Sequence, residues 1–575
     1  MPSEKESQHE RTSLGVYPVN TRPGSEKSFS LWHTWLERCS SEHACTIHDL
    51  PESSPRRLLE IRKASGIPEL IRLVESENLR RPYVALSYCW GPKSQKILLN
   101  AATLNGLRHG KPLIEFDPTI RDAVHTAEQM GFSYIWIDAL CIMQDSSDDK
   151  AEEIARMTTI YSNAALTIVA SRASSVAEGF LTDRTPLGAE RRHYVFEIPL
   201  SRQDKKQSEG SLILVPPLEE QLSGGVRYYN EVPEPWDLRA WTLQERLLSR
   251  RTLKFGKLQT SWICQDDVTD NVTKEHVGTL IRSVESSLPS DPDAVESMSA
   301  LERRAACLKD WYRLINMATA RSLAFNVGRL PVVAGIAEIF ASHLQDEYMC
   351  GNWRSNLPLE LLWMAVSNQG RSSSYIGPSW SWAGFNGIVG SNFVAKLYPG
   401  ALADADIAIL DFRAQHTHPE SPYGAAESGL LKVLGYLARV NTKVLLDQEY
   451  GAKKINSWAE PSIYDPEHLP RESLSPLFDY SDEMYPDIET GEFPEYPRPV
   501  CLLVVAHAER DPAGLILLQG KTTNDPYTRL GLFRATRSYL SRRSEEESDH
   551  GFEIRRRTLL KRFWGKLEPQ DLWLA

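Results

Sequence analysis

Residues 83–91 read Tyr83-Val84-Ala85-Leu86-Ser87-Tyr88-Cys89-Trp90-Gly91, and Pro92 follows. Tyr83 to Tyr88 is a short apolar run of strand length, closed by a Gly-Pro chain break. Asp117-Pro118 then offers an N-cap with proline at the first helical position. Ile120, Ala123, Val124, Ala127 and Met130 recur at helical spacing, and Gly131 supplies the stop. Tyr134-Ile135-Trp136-Ile137 is apolar on both faces, as a buried parallel strand must be. A second helix is predicted near 149–161, with Ile154, Met157 and Tyr161 on one face. Leu166-Thr167-Ile168-Val169-Ala170 is the third strand. The order is βαβαβ, which predicts a parallel α/β sheet with right-handed crossovers. Open sheets of this kind place their ligand crevice at the carboxyl ends of the strands. Those ends hold Ser87 to Gly91, Asp138 to Gln144, and Ser171 onward.

The rest of the chain is organised around this core. Residues 1–30 are polar and without periodicity, and are expected to be disordered. Residues 31–80 form an N-terminal extension, and 81–260 the αβ domain, with a large insertion over about 172–235. Residues 280–300 read as a linker and 301–370 as helices. A β-rich region is expected over 375–575, interrupted by an acidic, Pro-rich surface insertion at 459–500. Strand-like runs at Val500–Ala506, Leu515–Leu518 and Tyr527–Phe533 follow it.

Of the 575 residues 41% are hydrophobic and 25% charged, enough to bury a sizeable core. The net charge of −11 argues against general nucleic-acid binding, which needs a basic face. No secretory leader and no membrane span are read from the sequence. Eight widely spread cysteines fit reduced thiols, so a cytoplasmic protein is expected and the sequon at Asn271 is read as chance. Cys39, His43 and Cys45 are metal-ligand types, but three ligands fall one short of a closed zinc site, and no metal is expected. The segment from Gly514 to Thr522 fails the phosphate-loop spacing, and neither His-Glu-x-x-His nor Gly-x-Ser-x-Gly occurs.

Three motifs carry a resemblance. Tyr83 to Gly91, then Trp136-Ile137-Asp138-Ala139-Leu140-Cys141-Ile142-Met143-Gln144-Asp145, and Arg239-Ala240-Trp241-Thr242-Leu243-Gln244-Glu245-Arg246-Leu247-Leu248-Ser249 together resemble the fungal heterokaryon-incompatibility (HET) domain family. Met157, Ile160-Tyr161 and Ala164 fit the helix of its second motif. Trp35, Cys39, His43, Cys45 and Arg57-Leu58-Leu59 resemble the lead-in of fungal members, and Pro378-Ser379-Trp380-Ser381-Trp382-Ala383 the tail motif of long ones. Three positions depart from the pattern. Met143 stands where the family often has Asn, Ala240 where it has Gly, and Gly328-Arg329-Leu330 where it has Asp-Lys-Leu.

HET domains are in turn remotely similar to Toll/interleukin-1 receptor (TIR) domains, which implies a TIR-like, flavodoxin-like fold. What the resemblance implies about function is a signalling or cell-death effector in non-self recognition, working through a protein partner or self-assembly. An enzymatic alternative is a NAD glycohydrolase, with NAD as substrate and Glu245 as the catalytic carboxylate. A non-toxic scaffold or regulatory member is a third reading. Glu245 and Asp138 are the candidate catalytic residues. Ser87, Trp90, Gly91, Cys141, Gln144, Arg239, Trp241 and Gln244 are the candidate ligand-binding residues. Plainer readings stand beside these. Glu245 could pair with a base such as Arg250, Asp138 could cap its turn, and Trp90, Trp380 and Trp382 could be core. Cys141 could be an inert buried thiol, and Gln144 could satisfy loop backbone.

Overall fold

The computed structural model describes residues 21–43, 45, 54–64, 67–76, 80–184, 196–200, 210–214, 234–257, 260–264, 299–323, 328–366, 374–390, 406–418, 421–440, 463–465, 469–478, 500–508, 511–522, 524–535 and 567–575. Two compact units divide the chain, residues 1–283 and 284–575. The expected disordered residues 1–20 and linker residues 280–298 lie outside the described residues. Among the described residues, no helix is long and apolar enough to cross a membrane.

Among the described residues of the first unit, helix α1 (Glu26–Glu42) comes first, and its Ser25 cap accepts from Ser28 N–H. The expected disordered tail thus overlaps a capped helix. Strands β1 (Arg57–Ala64) and β2 (Ile67–Glu75) form a hairpin. They are followed by β3 (Val84–Ser87), α2 (Leu104–His109), β4 (Lys111–Pro112), α3 (Pro118–Gln129) and β5 (Tyr134–Trp136). Next come α4 (Asp138–Cys141), α5 (Ser147–Ala155), α6 (Met157–Asn163) and β6 (Leu166–Val169). A separate hairpin, β7 (Phe196–Leu200) and β8 (Gly210–Leu214), lies in the insertion. Helix α7 (Trp241–Leu248) and strands β9 (Arg251–Phe255) and β10 (Thr260–Cys264) are the last described elements of the unit.

Eight of these strands form one sheet in the order β10-β9-β6-β3-β5-β1-β2-β4. The inner four, β9, β6, β3 and β5, pair in parallel. The outer four join antiparallel, which corrects the expected all-parallel sheet. The reason is local. The β1–β2 hairpin needs no crossover helix and adds to β5 through Leu59 opposite Ile135. The 57–75 segment is therefore part of the sheet rather than an extension beside it.

Every residue of β3 and β6 is buried, as strands covered on both faces require. Leu86, Ile135, Trp136, Ile168, Leu253 and Phe255 are each at most 1% exposed. Burial of such a side chain contributes about 1.5–3 kcal/mol. Helix α1 packs Trp32 edge-on to Phe255, ring centroids 5.0 Å apart, and His33 Nε2 lies 2.7 Å from the Gln129 carbonyl of α3. Helix α3 starts at Asp117-Pro118 and stops at Gly131 (φ +85°), as the sequence predicts. Its Asp117 carboxylate makes no cap bond, however, and accepts Lys96 N–H instead.

The helix predicted at 149–161 is two helices, broken at Arg156. The break resets the helical phase, so Met157 and Tyr161 are buried while Ile154 is 37% exposed.

Among the described residues of the second unit, α8 (Ala300–Thr319) comes first, its N-terminus closed by a capping box between Ser299 and Glu302. Then follow α9 (Leu330–Leu344), β11 (Tyr348–Met349), β12 (Asn352–Trp353), α10 (Leu357–Glu360), β13 (Met364–Ala365) and β14 (Val389–Gly390). Trp311 of α8 packs edge-on to Phe340, Tyr348 and Trp353. The remaining strands are β15 (Ala408–His416), β16 (Ala426–Val440), β17 (Ile463–Asp465), β18 (Leu469–Phe478), β19 (Val500–Ala508), β20 (Asp511–Leu518), β21 (Thr528–Ala535) and β22 (Pro569–Leu574). They build an antiparallel sheet ordered β15-β16-β19-β20-β21-β18-β17, with β22 also on β16. The described part of the Pro-rich 459–500 segment pairs into this sheet through β17 and β18 instead of standing apart as a loop.

Trp380 and Trp382 do not lie on a strand. Trp382 opens a 3-10 turn, and both rings are buried, their Nε1–H groups donating to the carbonyls of Gly429 and Gly351.

Candidate functional site

At the carboxyl end of the parallel strands sits a buried polar cluster. Ser87 is the last residue of β3 and is 1% exposed. Its hydroxyl donates to Glu245 Oε2 on α7 and accepts from Trp236 Nε1 at 2.5 Å. Trp236 is aimed by a locked turn, in which Thr242 Oγ1 donates to the carbonyls of Trp236 and Arg239 at 2.8 and 2.7 Å. Tyr161 of α6 supplies a second hydroxyl to Glu245, and its Oη lies 3.3 Å from the Leu86 carbonyl.

The second carboxylate, Asp138, follows β5 at the start of α4. Its Oδ2 accepts Trp90 Nε1–H at 2.8 Å and its Oδ1 accepts Ala139 N–H at 2.6 Å. Asp138 thus makes the local turn bond and holds Trp90 as well. Tyr88 also reaches Asp138, and its Oη exchanges hydrogen bonds with the Gln95 amide.

Burial dominates the electrostatics. Glu245 keeps some exposure as a residue, yet its carboxyl group is enclosed. Burial pushes its pKa up to about 7, opposed by the Ser87 hydrogen bond and raised further by the charge of Asp138. Burial also raises Asp138, while Trp90, Ala139 N–H and Arg239 pull it back. Arg239 donates Nη1–H to the Tyr88 carbonyl at 3.3 Å, and its charge lowers both carboxylates. A carboxyl poised near neutrality can hold or release a proton at working pH, and when ionised it can face a developing cation.

The structure therefore brings Ser87, Trp90, Asp138, Arg239 and Glu245 together. The other predicted residues play different parts. Gly91 has φ +84°, and a Cβ there would stand 2.3 Å from Ser175 Cβ, so the position serves close packing. Cys141 is fully buried and its thiol is pushed up to about 12, which makes it inert. Gln144 Nε2 donates to the carbonyls of Asp138 and Ile142, holding the loop backbone. Trp241 opens α7 and is partly exposed. Gln244 is buried, and its Oε1 has no hydrogen-bond partner among the described residues. At the departure from the family pattern, Met143, the backbone N–H donates to Asp149 at 2.7 Å.

Sequence reasoning missed Trp236, which reaches Ser87 from 149 positions away and carries no local signal. It placed Tyr161 only on a helix face. It also left Cys39, His43 and Cys45 one ligand short, whereas Cys264 of β10 joins them in space.

The family model described as "Heterokaryon incompatibility protein (HET)" matches residues 83–245, ending on the carboxylate at the centre of the cluster. A curated relative, heterokaryon incompatibility protein 6, OR allele, of Neurospora crassa, is 25% identical over 193 residues. That alignment spans 30% of this chain and 28% of the relative's length. No solved structure matches the chain. Residues 83–245 of the chain thus match the heterokaryon-incompatibility (HET) domain, while the rest of the chain lies outside that match.

Proposed function

We propose that this chain acts in fungal heterokaryon incompatibility, as an effector of non-self recognition and cell death that works through a protein partner or self-assembly. The match over 83–245 carries this reading, and the name of the Neurospora relative supports it. Expression of the full chain in a fungal host should arrest growth or kill cells. Normal growth at high protein abundance would sink the effector reading in favour of a non-toxic scaffold.

A second reading is favoured by one observation, the enclosed Glu245 beside Ser87 and Asp138 at the strand ends. In it the domain hydrolyses the N-glycosidic bond of NAD. The bond from the ribose C1′ to the nicotinamide nitrogen breaks, and nicotinamide leaves with the electron pair. Water adds to C1′ and loses its proton, giving ADP-ribose. The ribose passes through oxocarbenium character, which the ionised Glu245 would stabilise. Trp90, held by Asp138, would offer its face to a ring of the substrate. NAD measured in cells expressing wild type or Glu245→Gln at equal abundance tests this reading. A fall with wild type alone is expected. Cell death with steady NAD would leave only the partner-driven reading.

A further inference from the structure

Cys39, in the last turn of α1, and His43, at its C-cap, are one helical turn apart. Cys45 follows two residues later. Cys264 ends β10, the edge strand of the sheet. One ligand atom from each of the four lies within 4.8 Å of all the others, and Cys264 Sγ is 3.3 Å from His43 Nδ1. In a tetrahedral zinc site, bonds of about 2.3 Å to sulfur and 2.0–2.1 Å to nitrogen set ligand–ligand separations of roughly 3.3–3.8 Å. The cluster needs only a small contraction to reach them.

Three further features fit a closed metal centre. The three cysteines are each under 5% exposed, while His43 stands partly exposed at the side of the site. Arg251, itself buried, donates Nε–H to Cys39 Sγ at 3.2 Å, a charge-assisted bond of the kind that supports a metal-bound thiolate from behind. All three cysteines are thiols, and three cannot pair off as disulfides among themselves.

We propose that Cys39, His43, Cys45 and Cys264 form a structural zinc site that ties the end of α1 to the edge strand β10. Four protein ligands leave no open position for water, so the site is structural rather than catalytic. It lies outside the family match at 83–245 and has its own ligands, distinct from the Ser87–Glu245 cluster.

The test uses the full chain, purified reduced, without chelator or metal-affinity resin. Elemental analysis should find about one zinc ion per chain. Cys264→Ser should lose at least about nine-tenths of it, whereas Cys501→Ser, a buried thiol of the second unit, should keep it. His43→Cys should retain zinc, since four thiolates also suit it. Cobalt(II) exchanged into wild type should show tetrahedral d–d bands with thiolate charge transfer. Wild type that is folded and holds no zinc, or Cys264→Ser with full stoichiometry, overturns the proposal. Should Cys264→Ser fail to fold, the cobalt spectrum of wild type decides, and weak octahedral bands there overturn it as well.

Discussion

Two glutamates, one in each unit, are pushed upward by the same force and put to different use. Burial raises Glu245 to about 7 and Glu360 to about 8. Glu360 ends α10 and is 4% exposed. It accepts Trp353 N–H at 2.7 Å, Tyr312 Oη–H at 3.0 Å and Asn356 Nδ2–H at 3.4 Å. Those donors come from β12, α8 and the turn before α10, so the carboxylate fastens local structure together. Glu245 has hydroxyl partners, keeps some exposure, and stands with a second carboxylate and an arginine at the strand ends. A perturbed carboxyl is thus a weak indicator alone. Position at the carboxyl edge of a parallel sheet, with polar company of both signs, separates the candidate site from the structural buttress.

The comparison can be broken at several points. Under the proposed hydrolase reading, the largest effect expected is on NAD turnover. Glu245→Gln should lower nicotinamide release at least about 100-fold, and a Glu360 variant that remains folded should turn over normally. Equal losses in both would erase the distinction. Stability should respond in the opposite sense. Glu360→Ala orphans the Trp353 N–H and Tyr312 hydroxyl and should cost about 2–4 kcal/mol in denaturant unfolding. Glu245→Gln should cost less than about 1.5 kcal/mol.

A smaller effect concerns pH. A carboxyl raised by folding favours the protonated native state. Its contribution is intact below the ordinary glutamate value of 4.5 and is lost as pH rises through about 7 for Glu245 and about 8 for Glu360. Both groups titrate across neutrality, Glu360 toward the higher end. Removing either should flatten the loss of stability there in a calorimetric pH series, and removing Glu360 should do so up to higher pH. Under the proposed hydrolase reading turnover would need ionised Glu245, and should then rise with pH through about 7. The smallest effect expected is that of Trp90→Phe. It removes the donor to Asp138 and should slow turnover by about tenfold or less.

What the sequence revealed follows the range of each signal. The strands β3, β5 and β6, and the stop at Gly131, were legible because apolar runs and a left-handed glycine are local features. Ser87 and Asp138 at the rim followed from those strands. The Arg156 break was not legible, because the apolar positions on either side still fit one helical period. The outer antiparallel strands were missed because a hairpin's membership of a sheet is settled by a distant partner, here Ile135 opposite Leu59. The same holds for Trp236 on Ser87 and for Cys264 beside Cys39: neither pairing has a periodicity to read.

The order of the sheet also bears on how the chain is made. Its parallel middle strand β6 takes its outer neighbour from residues 251–255, and the edge beyond comes from 260–264. At synthesis rates of about 5–20 residues per second, β6 emerges several seconds before its partner exists. For that interval a strand that is wholly buried in the folded unit presents unpaired backbone, a ready template for the wrong neighbour. Translation halted between residues 170 and 250 would therefore release a product inclined to aggregate.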